Sequence, residues 1–455
     1  MTTEITIPLW LLVLVLAFAA ITVASHFLFP SVRWFFRRRA QRVVAKLNER
    51  LERPIEPFKL AKRHDMIQRL VYHSDVMEAV TQYAAEEGVP EDVAFEKAQY
   101  YAREIVPSFS ATGYFGIGTR AAKFISQAFY RVRMGHEDEA LKDVDPDATV
   151  VFVMNHRSNM DYVLVTHLAA NRSALSYAVG EWARVWPLSR FIQSMGAYFI
   201  RRKSRGILYR RVLARYVQMA TEGGVTQAVF PEGGLSLTGD LAEPKVGLLA
   251  YVIGAYTPGG RDVVFVPVAV NYDRVLEDNI LIAAGERGDR RFGAKSSVLI
   301  KFWMRHMWQR LRGRYHKFGY AAASFGKPLS LSEWHEDHGT TDPMKVAQNL
   351  MGRIGSVMPV LPVPLVASFL VDQRTWDRID LEAKALEKVA TLEGGYVHIP
   401  RDDFGYALDY GLRNLAERGV ISMADNQITV TEGQAHLLQY YAASLNHLVK
   451  KSDAT

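Results

Sequence analysis

His156 and Asp161 stand five residues apart in V-V-F-V-M-N-H-R-S-N-M-D-Y, Val150 to Tyr162, where a continuously apolar run passes into a polar turn. An imidazole beside a carboxylate makes a general base. The carboxylate takes the hydrogen bond of one ring nitrogen, fixes the tautomer, and stabilises the imidazolium that forms when the other nitrogen accepts a proton. Five residues correspond to about 140° around an α-helix, so the two side chains meet only if His156 sits on the turn and Asp161 on the first turn of the helix. The chain has no cysteine and no G-x-S-x-G elbow, hence no obvious nucleophile of its own. The simplest chemistry is direct attack by a substrate hydroxyl on an activated acyl carbon, with His156 taking the proton.

Positioning such a pair requires a rigid strand beneath it. A run apolar at every position is buried on both faces, as in a parallel sheet. The turn after Met154 therefore emerges at the sheet's carboxyl edge, where open α/β folds hold ligands. From about Thr149 to Leu329, further apolar runs (Ser176 to Val179, Ala197 to Ile200, Thr226 to Phe230, Val263 to Val270) alternate with helical text such as I-L-Y-R-R-V-L-A-R-Y-V-Q-M-A. That alternation predicts an α/β domain with a mostly parallel sheet flanked by helices. Several runs end in residues useful at that edge. Gly196 to Arg202 closes on two adjacent guanidiniums, Arg201 and Arg202, whose planar forks suit a phosphate. Phe230-Pro231-Glu232-Gly233-Gly234 brings a carboxylate and two permissive glycines, and Val264 to Val268 is expected to end a fourth strand.

With 455 residues and 49% hydrophobic content the chain can hold two or three domains with a large core. The lack of cysteine excludes disulfides and thiolate zinc sites. The net charge of +7 falls in bursts, which suit phosphate or an anionic surface. Between Glu4 and Arg33 no residue is formally charged, and Pro8 to Phe29 is long enough for a hydrocarbon core of about 30 Å. Arg33, Arg37, Arg38, Arg39 and Arg42 follow. The expectation is a single-pass N-terminal transmembrane helix within residues 1–30, anchoring the chain in the cytoplasmic membrane with the remainder on the cytoplasmic side.

Residues 31–125 read as an amphipathic helical module, 126–335 as the α/β domain, and 336–455 as a mainly helical C-terminal module. The last carries a hairpin, Gly419 to Thr431, turning at Asp425-Asn426, for which a winged helix is one shape. No concentrated basic recognition helix accompanies it, so no nucleic acid partner is expected. Lys301 to Lys317 interleaves tryptophans with arginines and suits the interface of membrane lipids. His335-Glu336-Asp337-His338 lacks the H-E-x-x-H spacing and is expected to be a hydrated loop, leaving no metal site.

At these residues the sequence resembles the glycerolipid acyltransferases, which share a His, four residues, Asp motif, and among them the bacterial membrane-type glycerol-3-phosphate acyltransferases. The resemblance runs from about Tyr130 to Leu329. It is carried by H-R-S-N-M-D-Y at His156 to Tyr162, G-A-Y-F-I-R-R, P-E-G-G-L-S-L-T-G at Pro231 to Gly239, P-K-V-G-L-L at Pro244 to Leu249 and V-P-V-A-V-N-Y-D-R-V at Val266 to Val275. It implies acylation of the 1-hydroxyl of glycerol 3-phosphate, with His156 as base and Asp161 as its partner. Arg157, Ser158, Arg201, Glu232, Gly233 and Lys245 would then surround the acceptor. It also implies acyl-CoA or acyl carrier protein as donor, and no metal or organic cofactor.

One departure bears on the acceptor. The family usually has an arginine after E-G-x and often another two residues later, and here those positions are Leu235 and Leu237. A charge-assisted hydrogen bond contributes about 1.5 to 3 kcal/mol. Either Arg157, Arg202, Lys245 or Arg274 replaces the missing cation, or the acceptor is a different lipid alcohol such as lysophosphatidic acid.

Overall fold

A computed structural model describes residues 8–135, 141–142, 144–168, 173–180, 188–201, 206–288, 318–391 and 396–448. The chain divides into two units, Met1–Ile55 and Glu56–Thr455. In the first, a single helix, Leu9–Asn48, runs from the apolar text on through the basic text. Among the described residues no helix is long and apolar enough to cross a membrane. This corrects the expected transmembrane helix, and the single-pass membrane localisation falls with it. The helix does not end where the apolar text ends: it runs on without a break through Arg38, Arg39, Arg42 and Lys46, so the element is apolar over only part of its length.

The second unit is built on an eight-stranded sheet. Its strands are β1 (Arg131–Gly135), β2 (Thr149–Met154), β3 (Ser176–Val179), β4 (Tyr198–Phe199), β5 (Gln227–Val229), β6 (Val263–Tyr272), β7 (Tyr320–Phe325) and β8 (Leu329–Ser330). The order is β1-β7-β6-β2-β5-β3-β4, with β8 also paired to β6. From β6 to β4 every pairing is parallel. β7 and β8 run antiparallel to β6, and β1 runs parallel to β7. Every residue of β2 and β6 is buried, as continuous apolar runs require when both sheet faces are covered.

β6 continues past the expected end near Val268 to Tyr272. Pro267 does not stop it, because its missing N–H falls where none is needed. β8 pairs with β6 at Val264 and Phe265 and β7 only from Val268 onward. Between those ladders the Pro267 carbonyl points outward to accept the Gly326 N–H at 2.9 Å.

Helices cover the sheet. Glu91–Ile105 buries Ala94, Ala98 and Ala102, a stripe four residues apart whose small side chains permit close approach, and Ile207–Glu222 buries Val212, Tyr216 and Val217. The C-terminal part begins with Pro343–Ser356, whose N-cap Asp342 accepts the Met344 N–H. It then runs through the fully buried helix Pro362–Leu370, β9 (Thr375–Asp377), helices Arg378–Thr391 and Phe404–Glu417, and the hairpin β10 (Ile421–Ala424) and β11 (Gln427–Val430). β11 pairs with both β10 and β9. Asp425 and Asn426 take φ of 48° and 66°, the left-handed pair of a two-residue hairpin turn. Helix, strand, two helices and hairpin form the element order of a winged helix.

His335 to His338 are helical rather than a loop, lying in Leu331–His338 under a Ser330 cap. His338 stacks on Trp334 with centroids 3.9 Å apart, so its ring is taken up locally. Among the described residues no group of His, Asp and Glu side chains is placed to hold a metal. Lys301 to Lys317 lie outside the described residues.

Candidate active site

β2, β5 and β6 end side by side, and each delivers its polar residues to the same edge. After β2 the chain turns through Asn155 to Ser158 and enters helix Met160–Leu168, with Asp161 in its first turn. Asn155 ties this turn to β6, donating to the Val270 carbonyl at 2.9 Å and accepting the Val270 N–H at 2.7 Å. The His156 Nδ1 then lies 2.8 Å from Asp161 Oδ2. The meeting of turn and helix start that the five-residue spacing demands is thus realised.

Asp161 is fully buried and works as a hub. Oδ2 also accepts the N–H groups of Arg157 at 2.7 Å and Ser158 at 3.0 Å. Oδ1 accepts the Tyr272 hydroxyl at 2.6 Å. The His156 ring leans on Phe230 (centroids 4.3 Å) and Tyr162 (5.3 Å). Its Nε2 bonds to no described residue, leaving that nitrogen for a reacting group.

Glu232, just after β5, does not face outward as an acceptor ligand. Its carboxylate accepts the His156 N–H at 2.8 Å and the Ala242 N–H at 3.3 Å, stapling the His156 turn to the 231–244 loop. Burial raises its pKa to about 7 against the pull of those bonds. The same loop returns a bond, the Ser236 N–H donating to the His156 carbonyl at 2.8 Å. Arg157 is buried, with Nη1 donating to the Gly239 carbonyl at 2.6 Å and the guanidinium over the Tyr440 ring. Its Nε and Nη2 are buried without a partner among the described residues.

Ser158 is likewise internal. Its hydroxyl donates to Glu277 at 2.7 Å, and Asn159 bonds the same carboxylate through its N–H and its amide. Burial pushes the Glu277 carboxyl above the usual range while the Ser158 and Asn159 bonds pull it back. The amides of residues 157 to 161 are therefore all engaged: Met160 N–H donates to Ser158 Oγ and Asp161 N–H to the Ser158 carbonyl.

Arg201 follows β4, which is separated from β2 by β3 and β5, three strand spacings or about 14 Å across the sheet. Its guanidinium is directed at Glu104, with Nε to Oε1 at 2.9 Å and Nη2 to Oε2 at 2.6 Å, and it stacks on Tyr100 and Tyr101. Arg202 lies outside the described residues. Lys245 is exposed; its N–H donates to the Pro231 carbonyl at 2.7 Å and its stem passes Gly233, which holds φ of 67°. Leu235 is buried, and Leu237 packs against Gly285 of helix Asp278–Arg287.

Residues 135–271 match the family described as Acyltransferase, and residues 307–451 the family described as Glycerol-3-phosphate acyltransferase C-terminal region. Curated relatives named glycerol-3-phosphate acyltransferase include one from Xylella fastidiosa, 28% identical over 73% of this chain and 40% of its own length. Others come from Xanthomonas campestris, 30% identical over 65% and 33%, and Pseudomonas putida, 26% over 90% and 52%. The chain thus spans about half or less of the length of these relatives. A solved 1-acyl-sn-glycerophosphate acyltransferase from Thermotoga maritima is similar at 18% identity over 52% of this chain and 78% of its own, with a TM-score of 0.29.

The His156 turn is held by residues that no local pattern announces. Tyr272 and Glu277 reach the His156 turn from the far end of β6; Tyr272 lies in the stretch V-P-V-A-V-N-Y-D-R-V, but nothing in that text marks it as a partner of Asp161. The C-terminal part also grips the site. Asp240 accepts from His447 Nε2 at 2.7 Å and from the Asn446 amide at 3.1 Å, and both Tyr441 and Arg418 bond Asp278 at the head of the helix after Glu277.

Proposed function

We propose that this chain acylates the 1-hydroxyl of glycerol 3-phosphate, the first acylation of phospholipid synthesis, with acyl-CoA or an acyl carrier protein thioester as donor. The observation that carries this reading is the 2.8 Å contact between His156 Nδ1 and Asp161, with Nε2 left unengaged at the sheet edge. The relatives named above, which bear that activity in their names, support it.

In the proposed reaction the acceptor oxygen bonds to the thioester carbonyl carbon as its proton passes to His156 Nε2. The tetrahedral adduct collapses, the C–S bond breaks, and the imidazolium returns the proton to the leaving thiolate. The products are an ester and a free thiol, and the reaction so written uses no metal or organic cofactor. Amides at the start of helix Met160–Leu168, an expected oxyanion site, are already engaged. Gly234 and Leu235, buried with amides bonded to no described residue, are the donors beside His156 that take this role. Arg157, with two donors still available, joins Arg201, Arg202 and Lys245 as the cations for the phosphate. The product is an amphiphile and passes into membrane lipid.

A second reading has its own observation. Leu235 is buried and Leu237 packs on Gly285 where the family usually has arginines, an apolar pair that favours an acceptor already carrying a chain, lysophosphatidic acid. Radiolabelled palmitoyl-CoA and an acyl carrier protein thioester, offered with glycerol 3-phosphate and with lysophosphatidic acid, separate the two. Product from glycerol 3-phosphate is expected. Product from the lysolipid alone would replace the first reading with the second, and no product from either would overturn both.

A further inference from the structure

Of the bonds to Asp161, three fall on Oδ2 and one on Oδ1, the 2.6 Å bond from the Tyr272 hydroxyl. Without that fourth donor, one oxygen of a fully buried carboxylate has no partner, and nothing fixes which oxygen faces His156. We propose that Tyr272 is a positioning residue for the base, locking Asp161 so that His156 presents Nε2 to the acceptor; this rests on the acyl-transfer reading above.

The geometry around the phenol supports a fixed donor. Tyr272 is the last residue of β6 and is itself buried, its N–H donating to the Asn271 side chain at 2.9 Å. Its ring packs against Tyr130 at 5.2 Å, and Tyr130 is in turn held by its hydroxyl donating to the Arg274 carbonyl at 2.7 Å. The ring has no room to swing off Asp161. Burial and the neighbouring carboxylate push the Tyr272 phenol well above its ordinary range, so it stays protonated and donating.

Tyr272→Phe keeps the ring and removes the donor. The charged groups and phenols facing Asp161 and Tyr272, namely Glu232, Glu277, Arg157, Tyr130 and Tyr440, are unchanged by it. Losing one hydrogen bond to a charged group corresponds to roughly a ten- to hundred-fold fall in kcat, with KM for both substrates within about two-fold. The acid limb of the pH–kcat profile should also move to higher pH, because Asp161 relieved of a donor holds the imidazolium more strongly. A merely structural role would lower the melting temperature and leave the limb in place.

Wild-type kcat, or a loss of kcat with an unmoved limb, overturns the proposal. In an Asp161→Asn background the same change should cost little further, and full additivity would likewise overturn it. His156→Ala is the separate check on the reaction: if it retains turnover the base assignment fails whatever Tyr272→Phe does, and if it is silent while Tyr272→Phe is normal, only the role of Tyr272 fails.

Discussion

A Cβ built on Gly239 would stand 1.8 Å from the carbonyl oxygen of Tyr440, so the two backbones touch where the 231–244 loop meets the C-terminal helix Ala435–Ala442. Gly239 also takes φ of 86°, and its carbonyl receives Arg157. Gly239→Ala must therefore strain a left-handed residue and push two segments apart. The expected result is a stability loss of at least about 2 kcal/mol, read as a lower melting temperature, with turnover falling because the loop bonded to His156 shifts.

Glu232 gives stability a pH dependence of known sign. Its folded pKa is raised to about 7 from an ordinary 4.5. As pH falls from 7 towards 4.5, the native state binds a proton that the unfolded chain has not yet bound, so this group stabilises the fold on acidification and that gain is lost as pH rises. His398 opposes it, since burial lowers its pKa to about 4 from 6.5 and its contribution falls below pH 6.5. The clean measurement is the difference between wild type and Glu232→Gln: the wild type's relative stability should decline steadily from pH 5 to 7. A difference that stays flat would mean the carboxyl titrates normally.

Glu277 holds two of the three residues between His156 and the helix, Ser158 and Asn159. Glu277→Ala should lower kcat by about ten-fold, the worth of one to two such bonds, while Glu277→Gln, which keeps one acceptor, should lose less. Steady-state turnover of the three proteins checks the order.

Arg201 and Glu104 can be separated kinetically. Glu104 is directed at Arg201 and has no place at the His156 edge, so Glu104→Ala reports the structural share of their pairing. Arg201→Ala removes that share and the proposed phosphate contact together. Its KM for glycerol 3-phosphate should exceed that of Glu104→Ala by about ten-fold. Equal KM values would leave Arg201 a structural residue only.

What the sequence makes legible here is what is local. The apolar run of β2, the turn after it, and a base and acid five residues apart lie in one short stretch, and the parallel strands that flank it are apolar runs of the same kind. Tyr272 bonds Asp161 across 111 residues, and Gly239 meets Tyr440 across 201. No spacing rule joins such pairs, because sheet order and not chain order makes them neighbours. Pro267 stands inside β6 for a related reason: whether a strand tolerates a proline depends on what lies opposite its nitrogen. Ser158 and Glu232, foreseen around an acceptor, are both buried and bonded within the His156 turn and its neighbours, a placement that the residue types alone do not foretell. The transmembrane expectation is not met by Leu9–Asn48, whose apolar text and basic text form one continuous helix.

The grip of His447, Asn446 and Tyr440 on the 231–244 loop has a consequence for the order of biosynthesis. Proteins emerge from the ribosome amino end first, so β2, β5 and β6 can pair, and His156 can meet Asp161, well before residues 440–447 exist. A chain interrupted before residue 440 would hold the contact between His156 and Asp161 and lack the brace across the loop. The loop that bonds His156 would gain its brace only once helix Ala435–Ala442 and residues 446–447 have been made.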